Sequence, residues 1–261
     1  KQITAFNIKA RVYTTYSALM ADLQSGRAHI LFLPPVTYLL ARQQNLAQVA
    51  LMTNHFGVYQ YGAQFLANVS SKFTLYFDPA RNQNTANPAT ALKQLTGKRP
   101  CWVDPQSASG YIQALGVLNE NGIKVNDGAF LMSHSGVVRA LYITGICDFG
   151  VTFATTGDPR TSSAVTADLT DVMNRVVILW QTDAIIPNLN ISLWSGMAPA
   201  MREDLIFALQ DVSKTEKGRA NLTAANAYEI LDVKVVNDSF YDAFAASLKN
   251  AKIPLESLIG K

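Results

Sequence analysis

Apolar and polar positions fall into blocks along the chain, and the period changes from block to block. "IKARVY" (residues 8–13) has a strand-like apolar bias, and "SALMADLQSG" then runs with helical spacing to a stop at Gly26. "AHILFLPP" predicts a buried strand ended by Pro34 and Pro35, "VTYLLARQQN" a helix, and "QYGAQFLANV" another strand. Residues 71–97, rich in Asn, Pro and Gly, read as a connection holding a short helix. Beyond it "CWVDP", "GAFLMS" and "CDFGVTFA" predict strands, separated by the helices of "GYIQALGVLNENG" and "GVVRALYITG". The strands "RVVILWQT" and "NISLWS" follow, then two helices, "APAMREDLIFALQDV" and "DSFYDAFAASLKNA".

Strands alternating with helices predict an α/β protein with largely parallel sheets. The strands form two groups, which predicts two lobes: residues 1–97 with 185–261, and residues 98–184, with the C-terminal helices packing back on the first lobe. Ligands of such folds sit outside the carboxyl ends of strands and often between lobes.

Composition narrows the class. Hydrophobic residues are 49% and charged ones 16%, which supports a large core rather than disorder. A net charge of +3 without any Lys/Arg-rich run argues against a nucleic-acid partner. No apolar stretch reaches the roughly 18–20 residues that span a bilayer. The only cysteines, Cys101 and Cys147, suit either one disulfide in an exported protein or two buried thiols.

Polar residues gather where strands hand over to helices. After "CWV" come Asp104, Ser107, Ala108, Ser109 and Gly110; after "AFLM" comes His134; Asp148 stands at the edge of the next strand. Tyr16 opens the first helix and Tyr61 the strand "QYGAQFLANV". A helix start carries unpaired N–H groups and about half a positive charge, so two serines and a glycine there can close around an oxyanion. Taken singly, Ser107 or Ser109 is a cap, His134 a structural histidine, and Tyr16 and Tyr61 core residues with a satisfied hydroxyl. Their shared placement at strand ends supports a binding site.

These residues carry a resemblance. The chain resembles the substrate-binding proteins of ABC transporters for phosphonate, phosphite and related phosphorus oxyanions, within the type II periplasmic binding proteins. The loop "DPQSASGY", the histidine in "SHSGVVRAL", the stretch "GICDFG" and the run "VVILWQTDAIIPN" look like that family's second lobe, and "TTYSALMADLQSGRAHILFLPPVTY" like its first. The resemblance implies a two-lobed α/β fold with a hinge, crossing near residues 70–97 and 184–190, and an inter-lobe ligand cleft. It also implies that Ser107 and Ser109 hold phosphoryl oxygens, that His134 donates to them, and that Tyr16 and Tyr61 reach them from the first lobe. Asp148 would face the ligand and accept from a P–OH or pair with an amine. Ala108 departs from the family pattern, which often has Thr there, so one hydroxyl is missing. The family's leading βα unit, ahead of "KQITAFNIKARVY", is also missing, which predicts a first lobe short of one strand. In a doubly wound second lobe the strands of Cys101 and Cys147 are neighbours, and the two are expected to pair. The implied partners are a small anion such as a phosphonate and a membrane ABC permease. The implied protein is a monomer without cofactor or metal, periplasmic or extracellular, with a lipid anchor as one option.

Three other readings compete. An enzyme using Ser109, His134 and Asp148 lacks a G-x-S-x-G elbow, "TGKRP" is no phosphate-binding P-loop, and His29, His55 and His134 are scattered without a CxxC. A receptor's extracellular sensor module would use the same recognition. A diverged cleft would take a different small organic ligand.

Overall fold

The structure, a computed structural model, describes residues 7–258. Twelve strands run through the described chain: β1 (Ile30–Leu33), β2 (Ala47–Asn54), β3 (Gln60–Asn68), β4 (Phe77–Asp78), β5 (Gln83–Asn84), β6 (Pro100–Trp102), β7 (Ala129–Phe130), β8 (Phe149–Ala154), β9 (Val176–Gln181), β10 (Ile186–Pro187), β11 (Asn190–Trp194) and β12 (Asp232–Val235). The α-helices are α1 (Tyr16–Gln24), α2 (Pro35–Gln43), α3 (Pro88–Ala91), α4 (Ala114–Glu120), α5 (His134–Ile143), α6 (Ser163–Thr166), α7 (Val172–Arg175), α8 (Pro199–Lys214), α9 (Glu216–Asn226) and α10 (Asp242–Ala251). The chain divides into two compact units. Of the described residues, unit 1 holds 7–59, 187–242 and 254–258; unit 2 holds 60–186 and 243–253.

Unit 1 is built on a four-stranded sheet of order β1-β11-β2-β12, antiparallel throughout. Leu51, Ile191, Leu193 and Val233 of the sheet pack with Leu205 of α8 into one apolar layer. Residues 8–13, expected as a strand, form none, and Ile8 and Val12 stay exposed. A strand needs a neighbour to take its N–H and C=O groups, and this segment pairs with no edge of the sheet. It is held by side chains instead: Arg11 and Tyr13 both donate to the buried Asp22 of α1, which Arg27 also grips at 2.6 Å. These donors hold the Asp22 carboxyl below its ordinary range, the Tyr13 hydroxyl first and Arg27 next.

Unit 2 is built on a sheet of order β10-β3-β8-β6-β7, with β9 also paired to β3. β6 runs parallel to β7 and to β8, while β3 is antiparallel to β8 and to β9. Strand alternation separates two layers. Phe65, Trp102, Phe149 and Trp180 pack with Leu118 of α4, and Leu66, Cys101 and Val103 pack with Val137 and Leu141 of α5. The disulfide Cys101–Cys147 joins β6 to the residue two places before β8, with Cα atoms 5.6 Å apart.

Two expectations change here. The sheets are mostly antiparallel, because crossing strands such as β3 and β11 return against their neighbours. The division falls after Tyr59, so residues 60–97 lie with unit 2, where β3 pairs with β8 and β9. The helix of "DSFYDAFAASLKNA" likewise packs in unit 2: Asn119 donates to the carbonyl of Asn250 at 3.0 Å, and a Cβ on Gly116 would stand 2.5 Å from the carbonyl oxygen of Ser247.

Candidate functional site

The site is built at one end of the sheet of unit 2. Strands β6, β7 and β8 run parallel and end there in three loops. The register Gly62 with Ala154, and Gln64 with Gln181, brings the start of β3 and the end of β9 to the same end. Crevices outside the carboxyl ends of parallel strands are where α/β sheets bind ligands.

The loop after β6 forms a helix start with a defined seat. The Asp104 side chain accepts from the amide of Gln106 at 2.8 Å, and its carbonyl accepts from Ser107 at 3.1 Å, turning the chain. The Ser107 hydroxyl then caps the helix, accepting from the amide of Gly110 at 3.0 Å. Ala108–Gln113 winds as a π-helical turn, with the Ile112 amide reaching back to the carbonyl of Ser107, and continues directly into α4. Gly110 is required by packing: a Cβ there would lie 2.3 Å from the side chain of Val103. The amides of Ala108 and Ser109 have no partner among the described residues. The Ser109 hydroxyl also has none, although the residue is only 2% exposed. These groups are left free to donate to a partner that the chain itself does not supply.

The loop after β7 delivers His134. Ser133 caps α5 by accepting from Gly136 at 2.9 Å, which makes His134 the first helical residue. The amide of Phe153 in β8 donates to Nδ1 of His134 at 3.3 Å, and the imidazole meets the Phe153 ring at 4.7 Å. Since Nδ1 accepts, the ring proton sits on Nε2, which is left as a donor. Burial pushes the imidazole down to about 4, so His134 is neutral at physiological pH.

Tyr61, expected on the first lobe, belongs to unit 2 because β3 does, and it stands at this same end of the sheet. Burial pushes its phenol well above the ordinary value. Sequence reasoning passed over Gln113 and Asp183. Gln113 lies one helical turn past Ser109, is buried, and donates through Nε2 to the carbonyl of Asp183 at 2.8 Å, while its Oε1 has no partner among the described residues. That bond ties the loop after β9, in the run "TDAIIP", to the Ser109 helix. The signal was the polar pair Thr182–Asp183 directly behind an apolar strand.

Tyr16 is in unit 1, the lobe it was expected on, exposed at the start of α1. One expected site residue lies elsewhere. Asp148 precedes β8 and so lies at the opposite end of the parallel strands, where its carboxylate accepts from the amide of Arg99. The four steps from Arg99 to Val103 separate it from the serine loop by about 13 Å of strand. Asp148 instead borders a cavity of about 250 Å³ with Asn68, Ser70, Arg99, Thr144 and Cys147. Among the described residues, no cluster of His, Cys, Asp and Glu could hold a metal ion, and no helix is long and apolar enough to cross a membrane.

A capped helix start at the strand ends of an α/β unit is a place where anions can bind. The chain belongs to the family described as ABC transporter, phosphonate, periplasmic substrate-binding protein, whose pattern it matches over residues 2–239. That is a family of transport substrate-binding proteins with the two-lobed type II fold. No match is found among curated proteins. Among solved structures, the chain is similar to XAC2383 from Xanthomonas citri bound to ATP, at 15% identity and TM-score 0.67, covering 95% of this chain and 86% of that one. It is also similar to PhnD1 from Prochlorococcus marinus in complex with methylphosphonate, at 13% identity and TM-score 0.63, covering 92% and 85%. A third is PA3383, a binding-protein component of an ABC phosphonate transporter from Pseudomonas aeruginosa, at 14% identity and TM-score 0.56, covering 96% and 85%.

Proposed function

We propose that this protein captures a small phosphorus oxyanion (a phosphonate, phosphite or phosphate) outside the cytoplasm and presents it, as a monomer, to a membrane ABC permease. The observation that carries this reading is the hydroxyl of Ser109, unpartnered on a residue only 2% exposed, beside the free amides of Ala108 and Ser109. Three converging donors at a helix start suit an oxyanion. Hydrogen bonds to a charged group contribute about 1.5–3 kcal/mol each, enough together for tight capture of a small anion. His134 adds a fourth donor through Nε2, and Ala108 keeps its side chain out of hydrogen bonding. Ser107 holds the loop through its cap and, since its oxygen only accepts there, keeps its O–H as a further donor to the ligand. Tyr61 and Tyr16 are the proposed aromatic contacts. No step makes or breaks a covalent bond.

A thermal-shift screen of methylphosphonate, phosphite, phosphate, sulfate and small carboxylic acids, followed by calorimetry on the hits, tests the reading. Stabilisation by one or more phosphorus oxyanions is expected, since a ligand that binds only the folded state raises the melting temperature. Stabilisation by carboxylic acids alone would sink it.

A further inference from the structure

We propose that the seat at the strand ends of unit 2 is made of uncharged donors and takes its oxyanion still singly protonated, as the monoanion. This rests on the capture reading above and specifies the charge state of what is captured. The donors are two backbone amides, the Ser107 and Ser109 hydroxyls and Nε2 of His134, all uncharged. His134 cannot become a cation without setting a second N–H on Nδ1 against the N–H of Phe153, so it offers one neutral donor and no charge.

The charged groups on the elements packed against His134 and α5 are occupied or placed away from the seat. In the segment after β8, Arg160 is held by Asp158 at 2.6 Å and by the carbonyl of Val176 at 2.8 Å. Arg139 of α5 itself is held by Asp168 at 2.6 Å. Arg175, just ahead of β9, lies 4.2 Å over the ring of Tyr142. Arg99 precedes β6, at the end of the strands away from the seat. β3 brings only the phenol of Tyr61. The ionisable groups left on the loops at the seat's own end of the sheet are therefore carboxylates: Asp104 after β6, already accepting from the amide of Gln106, and Asp183 after β9. Within unit 2 these loops offer a second ligand charge no unpaired cation, only carboxylates. A P–OH, by contrast, can donate to a carboxylate.

The experiment is calorimetry between about pH 5.5 and 9 with methylphosphonate and with phosphite, whose last ionisations differ. Affinity is expected to stay level while each ligand is a monoanion, then to fall about tenfold per pH unit above its last ionisation. The midpoint should move from one ligand to the other. A midpoint common to both ligands, or an affinity that rises with pH, overturns the inference and leaves capture intact. Absence of binding by both at millimolar concentration removes the capture reading and this inference with it. Nitrogen NMR of the imidazole in the ligand-free protein is an independent check. A neutral Nε2–H ring across the range is expected, and a His134 imidazolium titrating within it overturns the inference.

Discussion

Asp148 and Arg99 are locked to each other across the starts of β8 and β6. The Asp148 carboxylate accepts from the Arg99 amide at 2.7 Å, and the Asp148 amide donates to the Arg99 carbonyl at 2.8 Å. Asp148 thus satisfies backbone at the starting end of two central strands. Asp148→Ala is expected to destabilise the fold by about 1.5–3 kcal/mol, the worth of a hydrogen bond to a charged group, and to leave oxyanion affinity within about twofold. Denaturant melts and calorimetry on the same preparation check both halves. A large affinity loss at unchanged stability would return Asp148 to the ligand.

Ser107 and Ser109 should separate in their effect on stability although they are two residues apart. Ser107→Ala removes a helix cap and is expected to cost about 1 kcal/mol of stability. Ser109→Ala removes a hydroxyl that bonds nothing within the described chain, so it should leave the melting temperature level and weaken oxyanion binding roughly ten- to hundredfold. The opposite assignment of the two effects would place the cap at Ser109.

His134 predicts the shape of the acid limb. Its folded value of about 4 lies below the ordinary 6.5, so between those values the unfolded chain binds a proton that the folded one refuses. Stability is therefore whole above about pH 6.5 and drains as pH falls toward 4, by up to roughly 3 kcal/mol. His134→Gln, which keeps a polar side chain without titrating, should flatten this limb. Urea melts from pH 7 to 4 on both proteins measure it, and an identical limb in the variant would contradict the buried neutral ring.

The disulfide supplies a fourth expectation. Closing a loop with a sequence separation of 46 removes chain entropy worth about 4 kcal/mol from the unfolded state. Reduction, or paired Cys101→Ala and Cys147→Ala, should lower the melting temperature by many degrees without abolishing the fold. Mass spectrometry before and after reduction must show the two-proton difference. Unreduced protein with two free thiols would refute the pairing.

The helix start at Ser107–Gly110 was legible in the sequence because its signals are local: a hydroxyl cap, and a glycine where Val103 leaves no room for a Cβ. The pairing of Cys101 with Cys147 followed from strand adjacency, and Tyr61 was recognisable as a strand opening. What the sequence could not convey depended on partners distant along the chain. Residues 8–13 have the apolar bias of a strand but no edge to join, and Asp22 holds them instead. Tyr61 changed units because β3 pairs with β8 and β9, at separations of about ninety and more residues. Asp148 reads as a strand-end residue, yet only the parallel register of β6 and β8 tells which end of the strand it occupies. Asp183 joins the seat through one long-range bond from Gln113 that no local pattern encodes.

The bond between Cys101 and Cys147 also has a topological meaning. Both contributors to the seat, the Ser107–Ser109 helix start and His134, lie on the stretch of chain that this bond closes into a ring. A protease that cuts once anywhere between them produces two pieces that stay covalently joined. A nicked molecule therefore keeps both halves of its recognition surface on one covalent body, and the cut becomes visible only after a reductant opens the ring.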